Sequence, residues 1–162
     1  MMFKMSRIII SSIFLVSCQS TILKPATCGS LVSDVPPERV NTDIVLSTPD
    51  NQRNYTIQDD LVFYADNYSE DVLETVPDKD LKVYLWNDSE WIETENKLDY
   101  LLKVSKFGAK SPDDPGQHIY RVFYDTSLIQ GSTRVCVILR AVKDPENTHV
   151  VIASYIEIEI HP

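Results

Sequence analysis

The side chains able to do chemistry in this 162-residue chain are few and scattered. His118, His149 and His161 are its three histidines, and none lies two or four residues from another, so no local pair is set to hold a metal. No Gly-x-Ser-x-Gly elbow occurs, and four glycines in all leave no loop to cradle a phosphate. Carboxylates gather in turns instead: Asp66, Glu70 and Asp71; Asp78 and Asp80; Asp113 and Asp114; Asp144 and Glu146. Sharing one end of a fold, such loops could offer calcium the six to eight oxygens it takes. Asp is also a turn former in its own right, and Pro112-Asp-Asp-Pro-Gly116 is a turn by composition. Tyr84, Trp86 and Trp91 are the best aromatic set, able to stack a sugar, anchor a partner or fill a core. No catalytic set or cofactor site stands out, so the expectation is a non-enzymatic protein.

The first eighteen residues carry a different kind of chemistry. Lys4 and Arg7 precede a short apolar run, Ile8 to Val16, followed by Ser17 and Cys18. A run of this length suits a signal peptide and falls short of the roughly 20 residues a membrane-crossing helix needs. Leu15-Val16-Ser17-Cys18 resembles the lipobox of bacterial lipoproteins. The resemblance implies that residues 1–17 are a signal peptide cut before Cys18. It also implies that the Cys18 thiol carries a diacylglyceryl group, attaching the chain to a membrane. Two acyl chains give stable anchoring where one does not. Gln19, in place of Asp, favours the outer membrane of the bacterial envelope by the same resemblance.

Removing that segment leaves 162 − 17 = 145 residues, enough for one domain with a real core. Its charge is 13 cations against 24 anions, or −11, because Lys4 and Arg7 leave with the signal. Such a surface repels nucleic acid and anionic head groups, so no nucleic-acid partner is expected. Cys28 and Cys136 remain. In an oxidising compartment an even pair suggests a disulfide, with two buried thiols as the alternative.

Residues 18–41 contain Pro25, Gly29, Pro36 and Pro37 and hold no period, so they read as a tether. Residues 42–162 alternate polar and apolar side chains in short runs. The strongest are Asp60–Ala65, Leu81–Trp86, His118–Tyr124, Arg134–Arg140 and Val150–Ile160, with weaker ones at Asp43–Ser47, Asn54–Ile57 and Trp91–Thr94. Leu98–Val104 could be a helical turn. Seven or eight strands without crossover helices predict an all-β fold, an antiparallel two-sheet sandwich. Leu61–Asn67, Trp86 with Trp91, Tyr120–Asp125, Gly131, Arg134-Val135 and Ile156–Ile160 together resemble the immunoglobulin-like domains of bacterial envelope lipoproteins. In Arg134–Arg140, Val135, Val137 and Leu139 share the apolar face, which puts Cys136 on the other. A bond to Cys28 would then pin the tether across the outer face of the sheet. The expected function is to present this sandwich to another envelope protein. Binding of a glycan, with or without calcium, through the aromatic strand and the acidic loops is the alternative.

Overall fold

The computed structural model describes residues 26–74, 81–94, 97–98, 106–108, 116–123, 129, 131–143 and 150–162. The fold is all-β, with two sheets facing each other across one core. The first sheet holds four strands in the order β1 (Ile44–Ser47), β3 (Leu61–Asn67), β9 (Gln117–Phe123) and β7 (Lys97–Leu98). The second is built on β10 (Thr133–Lys143) and β11 (Val150–His161), paired antiparallel over their whole lengths. On its other side β10 pairs with β5 (Leu81–Trp86) and then β4 (Leu73–Glu74). The sheet is completed by β2 (Asn54–Thr56), β6 (Trp91–Glu93) and β8 (Lys106–Phe107).

The period-two runs become strands because each presents one apolar face to the other sheet. Leu61, Phe63 and Ala65 face inward from β3, and Leu81, Val83 and Leu85 from β5. Val135, Val137, Leu139 and Ala141 do so from β10, and Ile152, Ile156, Ile158 and Ile160 from β11. All eight expected runs contain strands, and three two-residue strands, β4, β7 and β8, join them. Residues 99–105, which hold most of the ambiguous Leu98–Val104 run, lie outside the described residues.

Two departures from the expectation are informative. The sheets are not purely antiparallel: β2 pairs parallel with the end of β11, and Val40 bridges Ala153 in the same sense. Neither contact needs a crossover helix, because the partners are about a hundred residues apart in sequence and the chain between them runs through the other strands. The second departure is Ser154, a fully buried serine in the inner stripe of β11. Its Oγ accepts from the backbone N–H of Leu46 at 2.8 Å and donates to Asn41 Oδ1 at 2.8 Å. The same oxygen of Asn41 accepts from the Tyr155 N–H at 2.9 Å. Side chains thus satisfy backbone groups where β1 of one sheet passes β11 of the other.

One end of the sandwich is held by Lys143, whose Nζ reaches Asp71 at 2.9 Å and Asp43 at 3.2 Å. Beside it, buried Asn67 organises three loops. Its Nδ2 donates to the carbonyls of Asp71 at 2.8 Å and Gly108 at 3.0 Å, and its Oδ1 accepts from the N–H of Ser69 at 2.9 Å and its Oγ at 2.7 Å. Gly116, at φ +64°, passes so close that an added Cβ would lie 2.5 Å from the Gly108 carbonyl. Asn67→Ala should therefore cost about 2–4 kcal/mol, by leaving several buried groups unpaired; urea unfolding would show a lower midpoint at an unchanged slope.

The hydrogen bond to Asp71, then that to Asp43, raises the Lys143 ammonium above its ordinary value of 10.5. A raised folded-state value contributes stability that is complete below the unfolded value and is lost as pH rises through the folded one. Between about pH 9 and about pH 12, the wild-type urea midpoint should fall further than that of Lys143→Met. Parallel curves would remove the clamp.

Candidate functional site

The residues singled out by type and spacing meet on the outer face of the second sheet. Cys28 and Cys136 form a disulfide, with Cα atoms 5.6 Å apart. The bond sits under a strap, residues 26–40, that lies across β10 and β11. The strap begins with a short 3-10 turn, Cys28–Val32, which buries Cys28 and Val32 and leaves its polar side outward. Val32 and Val35 pack with Cys28, Cys136, Ile138 and Ala153 into a second apolar cluster, separate from the core between the sheets. A second such turn, Pro37–Arg39, starts at a proline that fixes φ, and the strap then ends at the Val40 bridge to Ala153.

Two arginines on the Cys136 face fasten the strap at either side of the disulfide. Arg140 grips Asp34 with two bonds, Nη1 to Oδ2 at 2.7 Å and Nη2 to Oδ1 at 2.9 Å, and also reaches the Leu31 carbonyl at 3.2 Å. Arg140 holds the exposed Asp34 carboxyl below its ordinary range. Arg134 donates from Nε to Glu157 Oε1 at 2.6 Å and from Nη2 to the Ala26 carbonyl at 3.4 Å. The other oxygen of Glu157 accepts from the Cys28 N–H at 3.3 Å. Each charged head is thereby spent on the strap's backbone or on its own counter-charge.

The aromatic set belongs to the same face. Trp86 and Trp91 pair across β5 and β6 with ring centres 5.2 Å apart, edge to face. The Arg134 guanidinium lies 5.1 Å from the Trp86 ring centre and 5.0 Å from that of Trp91. The surface the two rings offer is therefore already occupied by a cation of the chain itself. Tyr84 and Trp91 pack against the strap cluster. Tyr84 donates to Glu93 at 3.2 Å, and burial, more than the neighbouring carboxylate, raises its hydroxyl above the ordinary value. Glu93 also pairs with Lys82 at 2.8 Å. The buried Nε1 of Trp91 has no hydrogen-bond partner among the described residues.

The remaining candidates are apart from this face. Asp71 is bonded to Lys143, and Asp66 accepts from Gln117 Nε2 at 2.8 Å. Asp78, Asp80, Asp113, Asp114, Asp144, Glu146 and His149 lie outside the described residues, as does Cys18. His118 lies in β9. Among the described residues no group of three His, Cys, Asp or Glu side chains could hold a metal ion. The Ser132 hydroxyl and His161 Nδ1 stand 2.9 Å apart at the exposed C-terminal end, and among the described residues no carboxylate orients the ring. Among the described residues that pair lacks the third member an activated nucleophile requires.

Sequence reasoning placed the strap across the Cys136 face but did not give Arg134, Arg140, Asp34 and Glu157 their roles as its fasteners. The signal on that face is apolar: Cys136 and Ile138 sit between Arg134 and Arg140 where an uncovered face would be polar throughout.

No family model and no curated protein matches the chain. Among solved structures it is similar to a Salmonella enterica SafA pilin in complex with the SafB chaperone, with a TM-score of 0.49 and 13% sequence identity. The match covers 76% of this chain and spans 58% of the length of that one.

If the disulfide fastens the strap, Cys28→Ser together with Cys136→Ser should lower stability by about 2–5 kcal/mol. Loosening of the strap should also red-shift the emission of Trp91, one of only two tryptophans. Thermal melts and fluorescence would show both effects, and an unchanged spectrum would mean that the strap stays docked without the bond.

Proposed function

We propose that this chain is a lipid-anchored bacterial envelope lipoprotein, attached through Cys18, that presents its sandwich to another envelope protein and catalyses nothing itself. The observation that carries this reading is the disulfide at Cys28, ten positions after the lipobox cysteine. Disulfides persist in oxidising compartments, which is where a chain with this N-terminus would be delivered. The two features are independent, since one is a pattern in residues 4–18 and the other a packing arrangement in the folded domain.

The strap gives the anchor a physical form. With residues 26–40 fixed to β10 and β11, only residues 18–25 separate the lipid from the folded body. Fully extended, these span at most about 28 Å, at roughly 3.5 Å per residue. The domain stands close to the bilayer, and its charge of −11 keeps it off anionic head groups. Gln19 favours the outer membrane. A glycan-binding role for Tyr84, Trp86 and Trp91 finds less support, because Arg134 and the strap already engage these rings.

Cys18→Ser should block lipid attachment and cleavage. In cells labelled with radioactive palmitate, the wild-type chain should take up label and sediment with membranes, and the variant should remain unlabelled. A wild-type chain that takes up no label would overturn the proposal.

A further inference from the structure

The strap is built so that it can leave the domain without opening the core. Its apolar side chains belong to the outer cluster with Cys136, Ile138 and Ala153, and none of them joins the core between the sheets. Its backbone makes one bridge to the second sheet, from its last residue, Val40, to Ala153. Asn41, directly after it, fixes the chain to the body. Its N–H donates to the Ala153 carbonyl at 2.9 Å, and its Oδ1 accepts from Ser154 and Tyr155. The segment 26–40 thus has a firm hinge on one side and continues toward Cys18 on the other.

Without the disulfide the strap is poorly compensated. Ordering its fifteen residues costs backbone entropy at every position. Three buried apolar side chains, Cys28, Val32 and Val35, stand against that cost. The Arg140–Asp34 pair adds little, because the Asp34 side chain is 66% exposed. The sulfur–sulfur bond therefore decides whether the strap is docked.

Resting on the anchored-lipoprotein reading, we propose that the strap is a redox-set extension of the tether, docked while Cys28 and Cys136 are bonded and released when a protein dithiol reduces them. Both cysteines are buried, so the attack follows a lifting of the strap's N-terminal end, where Thr27 and Ser30 are exposed. Cys136 stays in a strand paired on both edges. A thiolate of the dithiol attacks the Cys28 sulfur, and the Cys136 sulfur leaves with the electron pair and takes a proton. The second thiolate then attacks its partner in the mixed disulfide, and Cys28 leaves and is protonated. The chain gains two electrons and two protons, the dithiol becomes a disulfide, and a protein disulfide reverses the exchange. Docked, residues 18–25 span at most about 28 Å; released, residues 18–40 span up to about 80 Å, at roughly 3.5 Å per residue. The same step uncovers Ile138 and Ala153 and frees Trp91 from the strap cluster.

The test uses the full lipidated chain in phosphatidylcholine vesicles, with a fluorescent amino acid at exposed position 119 and an acceptor dye on the head groups. Reduced thioredoxin is the probe, held on beads and removed before reading. It should lower energy transfer by roughly twofold, as expected for a longer flexible tether. Tryptophan emission should shift to the red, both changes should recover on reoxidation, and far-ultraviolet circular dichroism should keep its β signature. Cys28→Ser with Cys136→Ser should start in the released state and not respond. A bond that thioredoxin leaves intact, a reduced chain with unchanged transfer and emission, or loss of the β signature on reduction would each overturn the proposal. A reversible emission shift in a chain that takes up no palmitate removes the anchor and leaves the release. Palmitate uptake without the shift removes the release and leaves the anchor.

Discussion

Five consecutive side chains of β10, Val135 to Leu139, are buried, although a strand of an antiparallel sandwich ordinarily keeps one face in water. The inner three of alternate position belong to the core between the sheets. The outer two, Cys136 and Ile138, would be stranded in solvent were nothing laid over them. Most of the remaining architecture on that side answers this constraint. A polar, proline-punctuated segment with a few apolar residues covers the face, a covalent bond fixes it near its start, and an arginine at each side catches its backbone or its carboxylate. The segment has no strand pairing of its own beyond one bridge, so it could not hold its place by backbone ladders. Side-chain contacts do that work: the apolar packing of Val32 and Val35 is joined by charged fasteners, one of them, Arg140 on Asp34, bidentate.

The interior polar groups follow a related logic. Where β1 leaves one sheet and passes β11 of the other, regular pairing stops and backbone donors face one another across a seam. Ser154 and Asn41 supply the missing acceptors, and Asn41 adopts φ 55° to do so, a conformation asparagine tolerates better than most residues. Near the start of β1, Asn67 plays the same part for three loops at once. Both sites spend a small polar side chain inside an apolar setting because the alternative, an unpaired buried backbone group, costs more.

Much of this was legible in the residues themselves. Alternation in Leu81–Trp86 and Val150–Ile160 fixed which side chains face the core, and the same alternation in Arg134–Arg140 put Cys136 on the outer face and the tether across it. What resisted reading was non-local. The parallel contacts of β2 and Val40 with β11 have no signature in a single strand, because they depend on where the chain returns. Asn67 sat at the boundary of a turn-rich run and looked like a turn residue, whereas it extends β3 and is buried. Arg134 was visible as a cation beside a cysteine, but its position over two tryptophans depends on the pairing of β5 with β6. Short strands such as β4 carry too few residues to show any period.

The disulfide decides how a pull on the N-terminal side of the chain would reach the domain. A pull on the N-terminal side does not peel the strap from its first contact onward. It passes through two residues of backbone into the sulfur–sulfur bond and is delivered to β10 at Cys136, in a strand paired along both edges. The chain between the two cysteines, 108 positions in sequence separation, forms a closed ring that such a pull cannot unravel. Such a pull is therefore borne by a strand held on both sides, and the strap contacts after Cys28 are shielded from it.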